Sequence, residues 1–203
     1  MRKKFAQIIS LVLNPFFLIL ILILLGIEKS NLSQVKMMLF TVSALLLNGI
    51  FPTYLVVYFT QKGRVIDDVL ANREVLKNRP FILAWTTIIL MVETLTLYFF
   101  KNPQPLFTIL ITTFSLSLVL FLITLSRKIS LHTAFIASFS LIILFSFGLS
   151  FWPILISIPI VIWSRLALKR HTKKQIAGAF VLGLCITSLV FYLYGLIPYS
   201  PAS

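Results

Sequence analysis

The sequence predicts an all-α polytopic membrane protein, a bundle of six to seven transmembrane helices that forms a single integral membrane domain over residues 1–203. Of the 203 residues, 59% are hydrophobic, and the mean hydropathy is +1.03. A soluble domain of this size has too small a core to bury so much apolar surface. The apolar residues also come in runs of about 20, which is the length of a helix that crosses a bilayer.

Seven apolar runs are the candidate spans. They lie near residues 8–27, 37–59, 81–100, 106–126, 132–149, 151–168 and 176–197. Asn14-Pro15 predicts a kink in the first run, and Pro153 with Pro159 predicts a disturbed sixth, because each proline removes a helix hydrogen bond. The fifth and sixth runs are short and nearly contiguous, so a bundle of six spans with one re-entrant piece is an open alternative.

The basic residues of the chain are unevenly placed. There are 18 Lys and Arg against five Asp and Glu, and the formal net charge is +13. The cations form short clusters between apolar runs, which favours anionic lipid head groups or phosphate ligands over nucleic acid as partners. If the N-terminus is cytoplasmic, nearly all cations fall on that face, in the N-terminus and the loops at 61–80, 127–131 and 169–175. This bias predicts a multi-pass protein of the cell membrane with a cytoplasmic N-terminus.

The stretch SRLALKRHTKKQIAG, residues 164–178, contains five basic residues and one of the two histidines. Gln175 follows His171 by four positions, a spacing that stacks the two side chains if a helix begins there. The guanidinium of Arg165 offers a rigid fork of donors to phosphate oxygens. A neutral imidazole held by a second hydrogen bond can attack phosphorus or transfer a proton. The lysines alone are also explained as positive residues between two spans.

The loop RKISLHT, residues 127–133, contains the second histidine. Ser130 and His132 at the start of a helix would place a hydroxyl, free backbone N–H groups and an imidazole around one anion-sized position. The alternative interpretation is that His132 is an interfacial residue or a helix cap.

The loop at residues 61–81 contains the only two aspartates, Asp67 and Asp68, followed by several cations. Arg73 and Arg79 could both reach a phosphate if this segment is helical or folded back on the membrane surface. The alternative is a solvated connector with internal ion pairs, which stabilise little individually.

Two of these loops resemble motifs of the type 2 phosphatidic acid phosphatases, a family of membrane lipid phosphatases. The sequence KISLHT at 128–133 resembles the family's P-S-G-H-T motif, with Leu131 in place of glycine. The sequence REVLKNRP at 73–80 resembles its K-x6-R-P motif. There Arg79-Pro80 matches, and Arg73 is a displaced upstream cation.

The third loop resembles the family's remaining motif, S-R-x5-H-x3-D, with Ser164, Arg165 and His171 in register. Gln175 stands where the family has aspartate, so this side chain can orient the histidine but cannot neutralise its charge. The resemblance extends from about residue 64 to 183, and the motifs occur in the family's order.

The resemblance implies hydrolysis of a lipid phosphate monoester or diphosphate without a metal or other cofactor. It makes His171 the nucleophile that forms a phosphohistidine and His132 the acid that protonates the leaving alkoxide. The phosphoryl oxygens are then held by Arg165, Arg79, Arg73, Lys128, Ser130 and the backbone N–H of Leu131. The implied partners are a lipid phosphate substrate and membrane lipids.

Two other functions are open at the level of sequence. An intramembrane prenyltransferase also has an Asp-rich loop that ends in Arg-Pro, similar to DDVLANREVLKNRP, but it needs a second aspartate cluster, and no aspartate follows Asp68. A non-catalytic lipid-binding or transport protein is favoured by Glu93, because an acid inside a span marks a functional site by default.

Overall fold

The computed structural model describes residues 2–62, 79–101 and 103–195. The α-helices in these ranges are α1 (Arg2–Val12), α2 (Pro15–Lys29), α3 (Gln34–Ala44), α4 (Phe51–Lys62), α5 (Arg79–Phe99), α6 (Leu106–Ser126), α7 (Leu131–Phe147), α8 (Ser157–Ala167) and α9 (Lys173–Val190). Leu45–Ile50 and Phe191–Gly195 are π-helical, and Leu149–Ile156 is a 3₁₀-helix. The predicted all-α class is confirmed.

Six helical stretches in the described ranges are long and apolar enough to cross a membrane. They are Arg2–Lys29, Gln34–Tyr58, Pro80–Phe99, Leu106–Ser126, Leu149–Ala167 and Lys173–Tyr194. Helix α7 is apolar but shorter, at 17 residues. The protein is therefore a polytopic helical bundle with the six to seven spans that the sequence predicts.

The first span is broken where the sequence predicts a kink. Helix α1 ends at Val12 and α2 begins at Pro15. The side chain of Asn14 caps α2, because its Oδ1 accepts the backbone N–H of Phe16 at 3.1 Å. Pro15 then occupies the first helical position, where its missing N–H removes no hydrogen bond. The break leaves carbonyl groups in the last turn of α1 without helical partners.

Helix α7 lies at the centre of the bundle and packs against α2, α8 and α9. Its contact with α9 is so close that a Cβ atom at Gly183 would overlap the carbonyl oxygen of Ala134. Near this approach, the hydroxyl of Thr187 donates to Ser138 at 2.6 Å. Small residues and hydroxyl pairs of this kind let helices approach in a bilayer. The start of α7 and the start of α9 therefore lie at the same end of the bundle.

Helix α1 packs along α8 at that same end. The Phe5 ring lies 6.0 Å from the Trp163 ring, and the Arg2 guanidinium lies 5.9 Å from the same indole. Arginine over an indole face is a favourable electrostatic contact. The packing brings the backbone of α1 against the polar residues that end α8.

Candidate functional site

A cavity of about 370 Å³ opens where α1 breaks into α2, beside the first residues of α7 and the loop before α9. Its basic and imidazole side chains are Arg127, Lys128, His132, Arg165, Arg170 and His171. Its apolar side chains include Phe16, Ile19, Val56, Ile82, Leu83 and Phe135. No acidic side chain is among the described residues that line it. A polar group with negative charge joined to an apolar chain is the ligand that matches such a lining.

The imidazole of His171 is oriented by Gln175. Its Nδ1 lies 3.3 Å from Oε1 of Gln175, and the same oxygen accepts the backbone N–H of Thr172 at 3.1 Å. Because a backbone N–H only donates, the shared atom is the amide oxygen, and Nδ1 of His171 must be the second donor. In the neutral imidazole the lone pair then lies on Nε2. In this tautomer, Nε2 is the ring atom that can act as a nucleophile or a base.

Gln175 holds this position because it also caps α9. The hydroxyl of Thr172 accepts the backbone N–H of Gln175 at 3.3 Å, which completes a reciprocal capping box. A capping box fixes the side chain at the third helical position as well as the backbone. The helix start thus acts as the rigid support of the His171 ring.

The second histidine is held by the end of α1. The Nε2 atom of His132 lies 3.1 Å from the carbonyl oxygen of Ser10. Since a carbonyl oxygen only accepts, Nε2 carries the proton. Ser10 lies in the last turn of α1, where carbonyl groups run out of helical donors. The break at Pro15 therefore supplies the acceptor that orients His132.

The Arg165 guanidinium enters the cavity from α8 and is 3% exposed. Its Nη2 donates to the Ser164 hydroxyl at 3.4 Å, and that hydroxyl donates to the carbonyl oxygen of Ala6 at 2.8 Å. Burying a guanidinium is costly unless hydrogen bonds or an anion compensate it. A bound phosphate would supply that anion in bidentate geometry.

The cavity brings together five of the predicted site residues: Lys128, Leu131, His132, Arg165 and His171. Gln175 contacts it through His171. Ser130 is placed differently. Its side chain is fully buried and its hydroxyl pairs with Thr133 at 2.9 Å, and it does not line the cavity. In this structure, Ser130 orders the first turn of α7 behind Leu131 and His132.

Several predicted features fall outside the described part of the chain. Arg73, Asp67 and Asp68 lie outside the described residues, and so does the side chain of Arg79, at the start of α5. Their roles remain predictions, and so does the prenyltransferase alternative. The described part of the first motif ends at Pro80, which lines the cavity.

Sequence reasoning missed five polar residues of the cavity: Asn14, Thr86, Thr124, Arg127 and Arg170. The two arginines directly precede Lys128 and His171 in the chain, so adjacency to predicted site residues was the signal that could have found them. Asn14 was interpreted only as part of a kink. Its distance of more than 100 residues from either histidine motif left no sequence signal for its place in the cavity.

No protein-family model, curated protein or solved structure matches this chain. The likeness to the type 2 phosphatidic acid phosphatases therefore stays a prediction from three short motifs. The geometry of the cavity is independent of that likeness, because it depends only on where the helices place the side chains.

A second polar contact lies within the bundle. The Nδ2 atom of Asn48 donates to Oε1 of Glu93 at 2.8 Å, and both side chains are buried. Asn48 belongs to the π-helical turn Leu45–Ile50, a distortion that is common at functional sites. Oδ1 of Asn48 and Oε2 of Glu93 make no hydrogen bond to described residues. The contact joins the second and third spans.

Proposed function

We propose that this protein is a membrane lipid phosphatase that hydrolyses a lipid phosphate monoester or the terminal phosphate of a lipid diphosphate, through a phosphohistidine on His171. One observation carries the proposal: a single cavity is lined by two oriented histidines and Arg165 together with several apolar side chains. The resemblance of the three loops to a lipid phosphatase family supports the same reaction. Phosphatidic acid, phosphatidylglycerol phosphate and prenyl diphosphates are candidate substrates.

In the first step, Nε2 of His171 attacks phosphorus and the bond from phosphorus to the lipid oxygen breaks. The hydrogen bond from Nδ1 to Gln175 supports the tautomer that this attack needs. His132 begins this step as an imidazolium with a proton on each nitrogen and gives one proton to the departing oxygen. Because Nε2–H of His132 is donated to Ser10, the proton that it gives is the one on Nδ1, which leaves the ring neutral for the second step.

In the second step, water attacks the phosphohistidine, His132 takes a proton from that water, and inorganic phosphate leaves. Throughout both steps the phosphoryl oxygens carry negative charge. Arg165 and Lys128 line the cavity and neutralise this negative charge, and the N–H of Leu131 at the start of α7 adds a hydrogen-bond donor. Cations and positioning supply most of the catalysis of phosphoryl transfer, and in this proposal guanidinium groups take the part that a metal plays elsewhere.

A second candidate function is a non-catalytic lipid-binding or transport protein. The buried contact of Glu93 with Asn48 favours it, because acids in the bilayer interior commonly mark ion or substrate pathways. Glu93 does not line the cavity that holds the histidines. The phosphatase proposal uses that cavity and accounts for the orientation of both imidazoles, so it is preferred.

The cytoplasmic face of the cell membrane is the proposed location of the site. The cations on this side of the bundle that do not line the cavity, such as Lys3, Lys4, Lys173 and Lys174, outnumber the opposite set, Lys29, Lys36 and Lys101. Single cysteines at Lys173 and Lys101, in a Cys185→Ala background, test the orientation in intact cells. A membrane-impermeant thiol reagent should label position 101 and spare 173, and the reverse pattern would place the site outside.

The proposed function is tested by phosphate release from a panel of lipid phosphates by purified protein in the presence of a chelator. Release should persist with the chelator and be blocked by vanadate, which occupies a phosphoryl pocket as a transition-state mimic. The His171→Ala variant is the matched control and should release none. Strict dependence on added magnesium would argue against the mechanism and revive the prenyltransferase alternative.

A further inference from the structure

Asn14 is a buried polar residue that none of the three motifs includes. Its side chain is 8% exposed and lines the cavity. Its Oδ1 accepts the backbone N–H of Phe16 at 3.1 Å. Because that N–H can only donate, the atom that caps α2 is the oxygen, and the amide nitrogen is the polar atom that remains to face the cavity.

In the sequence, Asn14 lies between a residue that contacts His132 and a residue that packs against apolar side chains of the cavity. Ser10, four residues earlier, accepts the hydrogen bond of His132. Phe16, two residues later, packs against the apolar side chains of Val56 and Ile82. A lipid with its phosphate at the histidines and its tail against these apolar side chains would bring the group that links them near Asn14.

Capping alone does not explain an amide here. The cap needs one acceptor oxygen, which serine or aspartate supplies equally well. Asparagine adds an NH₂ group with two donors. A ligand with an acceptor oxygen at this position would accept a hydrogen bond from it.

We propose that Asn14 is a substrate-binding residue that donates a hydrogen bond to an acceptor oxygen in the group linking the phosphate to the lipid tail. This inference rests on the proposed function of the cavity. The acceptor can come from two sources: the inner phosphate of a lipid diphosphate, or an ester carbonyl of a diacylglycerol phosphate. In both lipids, this oxygen belongs to the group that joins the reacting phosphoryl group to the lipid tail.

Four lipids separate these sources when kcat and KM are measured for wild type and Asn14→Ser. They are a prenyl monophosphate, a prenyl diphosphate, a diacylglycerol phosphate and its dialkyl ether analogue. Serine keeps an oxygen for the Phe16 N–H but removes the NH₂ group. The variant should raise KM about tenfold for substrates that carry the acceptor and leave the prenyl monophosphate unchanged. A higher KM for the prenyl diphosphate alone identifies the inner phosphate as the acceptor. A higher KM for the diacylglycerol phosphate but not for its dialkyl ether analogue identifies the ester carbonyl.

Asn14→Ala is the companion variant, because it loses the cap as well as the donors. Any further loss that it shows equally on all four lipids measures the cap. An equal loss on all four lipids in Asn14→Ser, or no loss on any, would overturn the inference and leave Asn14 a structural cap. If wild type releases phosphate from none of the four, the proposed function fails. Equilibrium binding of the same lipids to wild type and both variants then decides the role of Asn14 separately.

Discussion

Oε1 of Gln175 lies 3.3 Å from Nδ1 of His171 and 3.1 Å from the backbone nitrogen of Thr172. The same oxygen of Gln175 thus takes part in the capping box of α9 and fixes the tautomer of the His171 imidazole. In triad-type sites, the residue that orients the catalytic histidine contributes about 10²-fold or more to the rate. Here the orienting residue is neutral.

Replacing Gln175 by leucine should therefore lower kcat by about 10²-fold, because His171 loses the acceptor that holds its Nδ1 proton. Steady-state phosphate release measures the effect. Gln175→Glu keeps an acceptor oxygen at the same distance and should retain most activity. Thr172→Ala is the control, since it removes only the other half of the capping box. An equal loss in Thr172→Ala and Gln175→Leu would show that the effect comes from the helix start and not from the imidazole.

Loss of His132 should lower the rate more for a substrate with a poor leaving group than for one with a good leaving group. His132→Ala should lower the rate strongly with a lipid phosphate, whose alkoxide needs a proton, and weakly with an activated aryl phosphate. The comparison uses kcat/KM for the two substrates with the same purified variant, because kcat also includes the hydrolysis of the phosphohistidine, in which His132 takes a proton from water. Equal losses on both would remove the acid role from His132 and make it a binding residue.

The close approach of α7 and α9 depends on Gly183. A Cβ there would overlap the carbonyl oxygen of Ala134, so Gly183→Leu should force the helices apart and cost about 1–3 kcal/mol of unfolding free energy. Gly178 in the same helix has open space where a Cβ would lie, so Gly178→Ala should be neutral or stabilising by up to about 1 kcal/mol. Thermal unfolding in detergent measures both. A Gly183→Leu variant as stable as wild type would contradict the packing.

The contact between Asn48 and Glu93 predicts opposite effects for two substitutions. Glu93→Gln keeps the oxygen that accepts from Asn48 and adds a donor where Oδ1 of Asn48 makes no hydrogen bond to described residues. That variant should be at least as stable as wild type. Asn48→Leu removes the partner of a buried carboxyl group and should cost about 1–3 kcal/mol. Thermal unfolding of the two variants checks this, and a destabilised Glu93→Gln would indicate that the carboxyl group serves a ligand.

The sequence was sufficient for the helical class and for much of the site because both depend on local pattern. Apolar runs of bilayer length predicted the spans, and four-residue spacing predicted the contact of His171 with Gln175. The contact of Ser10 with His132 could not be predicted, since it joins a backbone carbonyl to a side chain 122 residues away. The burial of Ser130 was also hidden. Its motif position suggested a phosphate ligand, whereas packing turns its hydroxyl to Thr133.

The most direct test of the central claim is isolation of the covalent intermediate. Brief reaction of the protein with a lipid labelled in its terminal phosphate should transfer the label to His171, as an acid-labile and base-stable phosphoryl group located by peptide mapping. With a labelled aryl phosphate as the donor, whose leaving group needs no proton, the label should accumulate when His132 is replaced by alanine, because this residue activates the water that hydrolyses the intermediate. Phosphate release without any labelled histidine, or labelling that persists in His171→Ala, would contradict the account.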